Sequence, residues 1–365
     1  MKVVGIVVEY NPLHNGHLLH LEKIKQEANP DLIIAVMSSS FTSRGDLSIF
    51  DKFEKTKQAL MAGIDLVIEL PLIYTLQRAD IFAKNAIDIL NLVGVDEIWI
   101  GSEENNIELY KEAFKKYKGG FDLSGGKSLK SASIDLLPFA SNDLLGFFYY
   151  KRIIDMNYDI KLYTIKREIT NFLDLVLHNE FIASSNAIRN NISMIDDYTP
   201  SFVSQDKKNI LSEDNLYKYV KYKIISTSED ELKKIFLVDE GLEYKIKKEL
   251  KNSNDPNEFI SLMISKRYTK TRIKRMLCYI LLNITKEDIN SLCVKNADMV
   301  RILGFNDNGK KYLNKIKKNV KVISNIKEGI SPIYDIELKV SKILDLIYDL
   351  NLYEKEKQKP VELEI

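Results

Sequence analysis

The 365-residue chain has few cysteines and no long apolar run. Its two cysteines, Cys278 and Cys293, form no Cys/His metal motif, and we expect both to be reduced thiols in the core. No stretch approaches the ~18 uninterrupted apolar residues of a membrane-spanning helix. Because a predicted buried strand begins at Val3, we expect no signal peptide and a cytoplasmic location.

The composition, 45% hydrophobic and 29% charged, is typical of a globular protein, and the length allows two domains. The net charge of +1 conceals an asymmetry. Residues 1–200 contain 21 Lys and Arg against 27 Asp and Glu, whereas residues 201–365 contain 32 against 25. The second half is therefore expected to meet a polyanion, although a solvated lysine-rich surface would give the same imbalance.

Strand and helix patterns alternate in the first half, which predicts an α/β fold with a parallel sheet. The predicted strands are residues 3–8, 31–37, 65–71, 96–102 and 160–164, and the predicted helices are 16–27, 50–62, 78–93 and 142–154. Asp196, Asp197 and Pro200 mark a predicted domain boundary, giving domains of residues 1–200 and 201–365. The second domain is expected to be mainly α-helical, over 205–225, 230–250, 256–283, 286–303 and 308–319.

The loop after the first strand is the main candidate for chemistry. Three of the four histidines, His14, His17 and His20, lie between the turn at Asn11-Pro12 and the first helical turns. A helix that starts at the carboxyl edge of a parallel sheet presents free N–H groups to an anion. His14 and His17, as neutral donors or imidazolium ions, could face one phosphate and stabilise charge there by about 2.7–4 kcal/mol each. Histidines satisfied by local hydrogen bonds are the alternative.

Two other signals are weaker. Gly125-Gly126-Lys127-Ser128 is similar to a phosphate-binding P-loop, but Phe121 stands where that motif requires glycine, and a connecting segment is favoured. His178 is interpreted as a surface histidine.

His14-Asn15-Gly16-His17 resembles the signature of the HIGH nucleotidylyltransferase superfamily. A longer pattern is spread over residues 5–17 (GIVVEYNPLHNGH), 65–71 (DLVIELP), 78–83 (RADIFA), 101–103 (GSE), 142–146 (NDLLG), 266–272 (KRYTKTR) and 301–304 (RILG). Over nearly the full length, this pattern resembles the tRNA(Met) cytidine acetate ligase family.

The resemblance implies a Rossmann-like nucleotidylyltransferase domain followed by the helical domain. It also implies an enzyme that uses ATP, as its magnesium complex, and acetate to form acetyl-adenylate. The acetyl group would pass to N4 of the wobble cytidine of elongator tRNA(Met). His14 and His17 would be catalytic, and no residue is assigned to a metal. The ATP-binding positions would be these two with Val7, Val8, Glu9, Tyr10, Asn11, Asn15, Gly16, His20, Gly101, Asn142, Arg167, Ser184 and Ser185.

The sequence departs from the family pattern at three places. Ser43 stands where a glutamine is usual, Asn186 replaces a threonine, and residues 171–174 (NFLD) lack the usual Tyr-His-Asp. These departures concern the acceptor side and leave the nucleotide loop intact.

The predicted RNA contact is a basic segment that begins at Lys266. On a helix, Lys266, Lys270 and Lys274 would share one face, with Ile273, Met276 and Leu277 turned inward. Lysines on such a face suit phosphate contacts, but a solvated face has the same pattern. The predicted tRNA-binding residues are Lys266, Arg267, Lys270, Arg272, Lys274 and Arg275.

Two other functions compete with the ligase. One is a nucleotidylyltransferase acting on a small phosphate ester, and the other is a nucleotide-sensing RNA-binding protein without catalysis. The large second domain argues against the first, whereas the second predicts that His14→Ala leaves function unchanged and the ligase predicts a loss of rate.

Overall fold

The computed structural model describes residues 1–117, 141–167, 181–293 and 296–364. The segment 125–128, His178 and residues 171–174 lie outside these ranges. Within them, no helix combines the length and apolarity needed to cross a bilayer, and no three His, Cys, Asp or Glu side chains are grouped to hold a metal. Cys278 and Cys293 are buried free thiols.

One sheet organises the fold, and its first five strands are parallel, in the order β5-β4-β1-β2-β3. The chain adds β2 and β3 on one side of β1, then crosses to β4 and β5 on the other. Ligands bind at the carboxyl edge where the direction of strand addition reverses, here beside β1. The strands are β1 Val3–Val8, β2 Leu32–Ser38, β3 Leu66–Leu70, β4 Glu97–Ser102, β5 Lys161–Lys166, β6 Met299–Asn306, β7 Lys321–Ile323 and β8 Val361–Leu363.

Helices cover both faces of the sheet, and two apolar cores separate them from it. The helices of the first half are α1 Asn15–Ala28, α2 Lys52–Met61, α3 Leu72–Thr75, α4 Ala79–Leu92, α5 Ile107–Lys116, α6 Ser141–Asp155, α7 Ser185–Asn190 and α8 Ile195–Tyr198. Those of the second half are α9 Ser201–Ser204, α10 Glu213–Ser226, α11 Glu229–Leu232, α12 Leu242–Lys251, α13 Pro256–Met263, α14 Lys270–Leu282, α15 Lys286–Leu292, α16 Asp307–Ile316, α17 Pro332–Tyr348 and α18 Leu352–Glu356.

The second half contributes strands that the sequence did not predict. The predicted helix 286–303 is wrong beyond Leu292, because residues from Met299 onward form β6, which pairs antiparallel with β3. β7 and β8 both pair parallel with β6. The predicted helix 256–283 is also broken, between Met263 and Lys270. The sheet therefore continues across the predicted boundary at residue 200.

Five charged side chains are buried together where α2, β3, β6, α17 and α18 meet. Lys52 Nζ lies 2.6 Å from Glu69 Oε1 and 3.0 Å from Glu337 Oε2. It also lies 2.6 Å from Glu356 Oε1. Arg301 Nη1 is 2.9 Å from Glu69 Oε2 and also pairs with Glu356. We call this set the buried charge cluster; it joins residues of the first 70 positions to the last 70.

The buried charge cluster has three carboxylates and only two cations. Burial raises the pKa of Glu337 to about 7, and the neighbouring Glu69 and Glu356 raise it as well, against the opposing effect of Lys52. Near neutral pH, Glu337 is therefore partly protonated, which reduces the excess negative charge of the cluster.

Replacing Lys52 by methionine should destabilise the protein by about 3–5 kcal/mol, because it leaves buried carboxylates without their cation. Urea unfolding measures the change. Lys57→Met, at an exposed position on the same helix, is the matched control and should change stability by about 0.5 kcal/mol or less. Equal stabilities of the two variants would contradict the role given to Lys52.

Glu337→Gln should remove a pH dependence of stability. The folded pKa of Glu337 lies above its usual 4.5, so the folded state binds more protons than the unfolded state between these values. This contribution is complete below about pH 4.5 and is lost as the pH rises through about 7. The wild-type free energy of unfolding should therefore fall relative to that of the variant between pH 5 and 8. Glu112→Gln, at an exposed site, is the control.

Candidate functional site

The turn between β1 and α1 is held from outside by two other segments. The Asn11 amide donates to Leu47 O at 3.0 Å and accepts from Ile49 N at 2.8 Å. Its carbonyl accepts from Arg189 Nη1 at 2.7 Å. Tyr10, at φ 44°, sits in the left-handed region that permits the tight reversal. The side chain of Asn11 therefore orders the turn.

His14 and His17 lie together at the start of α1. Their rings stack with centroids 3.7 Å apart, and the edge of the Tyr10 ring meets His17 at 4.9 Å. His17 Nδ1 accepts from His14 N at 3.2 Å, which leaves the proton of neutral His17 on Nε2. His14 is only 7% exposed, and its Nδ1 has no hydrogen-bond partner. A Cβ at Gly16 would lie 3.0 Å from His14 Cε1, so glycine makes room for this ring.

The site keeps its histidines neutral. Burial, together with the positive charge of Arg167, lowers the pKa of His14 to about 3 and that of His20 to about 4. Burial holds the pKa of His17 well below its usual value, and positive charge on His14 and Arg167 contributes to the same effect. His20 Nε2 is buried without a partner. At pH 7 these rings are neutral, and an anion bound among them would favour their protonation.

Residues from β4, α6 and β5 form the opposite wall, and they converge on Glu103. Asn142 Nδ2 donates to Glu103 Oε1 at 2.8 Å, and Arg167 Nη1 lies 4.0 Å from the same oxygen. A Cβ at Gly101 would lie 3.2 Å from Arg167 Cγ. The structure thus brings together Gly101, Asn142 and Arg167. It adds Glu103, which sequence reasoning did not assign.

The segment before α7 closes a third side. Ser184 is buried and accepts from Ala187 N at 3.1 Å as the helix cap, and Ser185 Oγ donates to Pro12 O at 3.4 Å. Asn15 Nδ2 donates to Phe181 O at 3.0 Å. The hydrogen bonds of Ser185 and Asn15 join α7 and the segment before it to the histidine loop.

The remaining predicted nucleotide residues lie at the end of β1. Val7 and Val8 are partly exposed there, and Glu9 Oε1 accepts from Ser43 N at 2.6 Å. Glu9 thus fastens the loop after β2 to β1.

Arg44, in the loop after β2, completes the positive surroundings. Burial lowers the pKa of Arg44, whereas the carboxylates of Glu9 and Asp46 raise it. The positive charges of Arg189 and Arg167 also lower it, so three guanidinium groups lie near the histidine loop. Arg44 and Arg189 were not assigned by sequence reasoning, although their loop and helix were noted. These arginines come together only in the folded protein, because they lie far apart in the chain.

A buried lysine also holds the loop after β2. Lys55 Nζ, fully buried, donates to Ser38 O at 2.9 Å, Ser39 O at 3.1 Å and Ser48 Oγ at 3.1 Å. Burial lowers its pKa to about 7, with Glu9 acting in the opposite direction. Lys55 therefore anchors both ends of the loop that carries Arg44.

The predicted RNA segment is divided by the structure. The prediction that Lys266, Lys270 and Lys274 share one helical face is wrong for Lys266, because α14 begins at Lys270. Ile273, Met276 and Leu277 are buried as predicted.

Several basic side chains of this segment contact other parts of the protein. Lys274 Nζ lies 2.6 Å from Asp46 Oδ1, and Arg275 Nη1 donates to Gln77 O at 2.8 Å and Ser43 O at 3.2 Å. The remaining ion pairs join Arg267 to Glu240 and Arg272 to Asp239. Lys266 and Lys270 are exposed. Lys274 and Arg275 thus fasten α14 to the loop after β2.

Comparison with known proteins identifies relatives over the whole chain. The family model described as HIGH Nucleotidyl Transferase matches residues 1–359. The tRNA(Met) cytidine acetate ligase of Anoxybacillus flavithermus is 35% identical, covering 94% of both chains. That of Caldicellulosiruptor saccharolyticus is 36% identical, covering 95% of this chain and 94% of its own.

A solved structure has the same fold. Thermotoga maritima TmcAL bound with alpha-thio ATP matches with a TM-score of 0.85 and 26% identity, with both chains fully covered. Its apo form matches with a TM-score of 0.88. The chain is therefore a member of the HIGH nucleotidyl transferase family and, within it, belongs to the tRNA(Met) cytidine acetate ligases.

Proposed function

We propose that this protein activates acetate with ATP as acetyl-adenylate and transfers the acetyl group to N4 of the wobble cytidine of elongator tRNA(Met), in the cytoplasm. The observation that carries the proposal is the stacked pair His14 and His17, at the start of α1 and within the electrostatic reach of Arg167. This pair lies between the carboxyl end of β1 and the N-terminal end of α1, and parallel sheets and helix N-termini favour anionic ligands at such positions.

In the first step, an acetate oxygen attacks the α-phosphorus of ATP and the bond to the β-phosphate oxygen breaks, releasing pyrophosphate. Negative charge grows on the α-phosphate oxygens as the bond forms. Donors aimed at these oxygens stabilise the transition state more than the substrate. His14 and His17 are the donors in this proposal, and Arg44, Arg167 and Arg189 hold the phosphates.

In the second step, the N4 amine of cytidine attacks the acetyl carbonyl carbon. The bond from that carbon to the adenylate oxygen breaks, AMP leaves, and the amine loses a proton. Desolvation of the mixed anhydride within a closed site limits its hydrolysis by water. The loop after β2 contacts Glu9 and the start of α7 contacts Pro12, and both would help to exclude water in this proposal.

Replacing His14 by alanine should lower acetate-dependent pyrophosphate release about 10²–10³-fold, because one transition-state donor is lost. Folding should be retained, since the backbone hydrogen bonds of His14 at the start of α1 do not depend on its side chain. Circular dichroism and steady-state pyrophosphate assays measure both. Gln26→Ala, at an exposed site on the same helix, is the control. Full activity of the His14 variant would refute the donor role.

Replacing Arg167 by glutamine should raise the pKa values of His14 and His20, because a nearby positive charge is removed. Titration of the histidine ring signals by NMR measures the change. A bound ATP analogue should shift them in the same direction in the wild-type protein, by adding negative charge. Unchanged midpoints in the variant would show that burial alone keeps the rings neutral. Lys161→Gln, exposed on β5, is the control.

A further inference from the structure

Two neighbouring helices of the second half expose tyrosines among lysines. On α10, Lys218, Lys221, Tyr222 and Ile225 follow one another at helical spacing on the solvent side, and Tyr222 is 69% exposed. The opposite side of α10 is buried in the main core through Leu216, Val220 and Ile224. The exposed stripe is therefore a separate surface and not the edge of the core.

The second helix, α12, repeats this pattern. Tyr244, Lys248 and Lys251 lie at positions i, i+4 and i+7, and Tyr244 is 65% exposed. Ile246 and Leu250, on its other side, enter the same core as α10, and the two helices pack together. We use the name tyrosine-lysine face for the exposed residues Lys218, Lys221, Tyr222 and Ile225 of α10 together with Tyr244, Lys248 and Lys251 of α12.

The helix α10 begins beside the candidate site. Glu213, the first residue of α10, accepts from Leu47 N at 3.3 Å and from Lys274 Nζ at 3.3 Å, and Leu47 lies in the loop that carries Arg44. With a rise of 1.5 Å per residue, Tyr222 is about 14 Å and Ile225 about 18 Å further along the helix. A nucleic acid stem whose loop entered the site could run along α10.

We propose that the tyrosine-lysine face binds the anticodon arm of the acceptor tRNA, an inference that rests on the proposed function. Lysines on one face suit phosphates, and exposed tyrosines offer planar surfaces on which nucleosides stack. Two tyrosines about two-thirds exposed are the feature that a solvated lysine surface does not need. Lys274 and Arg275, two of the residues predicted from the sequence to bind tRNA, pair with groups within the protein, whereas the lysines of the tyrosine-lysine face are exposed.

The test compares binding and acetylation of elongator tRNA(Met) by Tyr222→Ala/Tyr244→Ala and by Lys218→Gln/Lys221→Gln. The tyrosine pair should weaken tRNA binding about tenfold or more by loss of stacking. The lysine pair should lower the slope of log K against log salt by roughly 0.7–0.9 per lysine. Acetate-dependent pyrophosphate release without tRNA should be unchanged in both.

Two controls match these changes. Leu346→Ala removes a side chain that is 70% exposed on α17, and Lys57→Gln removes an exposed lysine on α2; neither should alter tRNA affinity or the salt slope. If both test variants keep the wild-type tRNA affinity and salt slope while the enzyme acetylates tRNA, the role of the tyrosine-lysine face is overturned and the proposed function stands. If the wild-type protein releases pyrophosphate but never binds or acetylates tRNA(Met), the proposed function fails and this face with it. A change confined to self-association, measured by light scattering, would also overturn the inference.

Discussion

The buried charge cluster is the constraint on which the two halves of the chain depend. Lys52 and Arg301 come from segments about 250 positions apart, yet they share Glu69 and Glu356 as partners. Removing such charges from water is costly, and each attraction offsets that cost only when the full set is assembled. Partial assembly would leave a buried ion without a partner. The cluster therefore favours a single arrangement of α2, β3, β6 and the C-terminal helices.

This arrangement also determines the candidate site. Lys52 and Lys55 lie one turn apart on α2, so the helix that completes the charge cluster also holds the loop after β2. That loop fastens Asn11 from one side and α14, through Asp46 and Lys274, from the other. The glycine at position 45, with φ 85°, permits the close approach, since a Cβ would lie 2.6 Å from Arg275 N. The second half of the chain thus reaches the nucleotide loop through a loop of the first.

Local pattern predicted the five parallel strands and the histidine turn, because each is encoded by neighbouring residues: an apolar run, a turn and a helix start. β6 was missed for a physical reason. Its centre contains Arg301, and an arginine is incompatible with a buried strand unless its charge is matched elsewhere in the fold. The match is Glu69, 232 positions away, which no local window includes. Glu103, Arg44 and the internal pairing of Lys274 were beyond reach for the same reason.

The electrostatics of the site bear on the role proposed for its histidines. Burial, followed by the positive charge of Arg167, disfavours protonation of His14, and burial, His14 and Arg167 disfavour protonation of His17. In the proposed reaction, a bound polyphosphate adds negative charge beside the rings, which opposes the effect of Arg167 and favours their protonation. The donors then become stronger only when the nucleotide is in place. Under the proposed function, the strength of His14 and His17 as hydrogen-bond donors therefore depends on nucleotide binding.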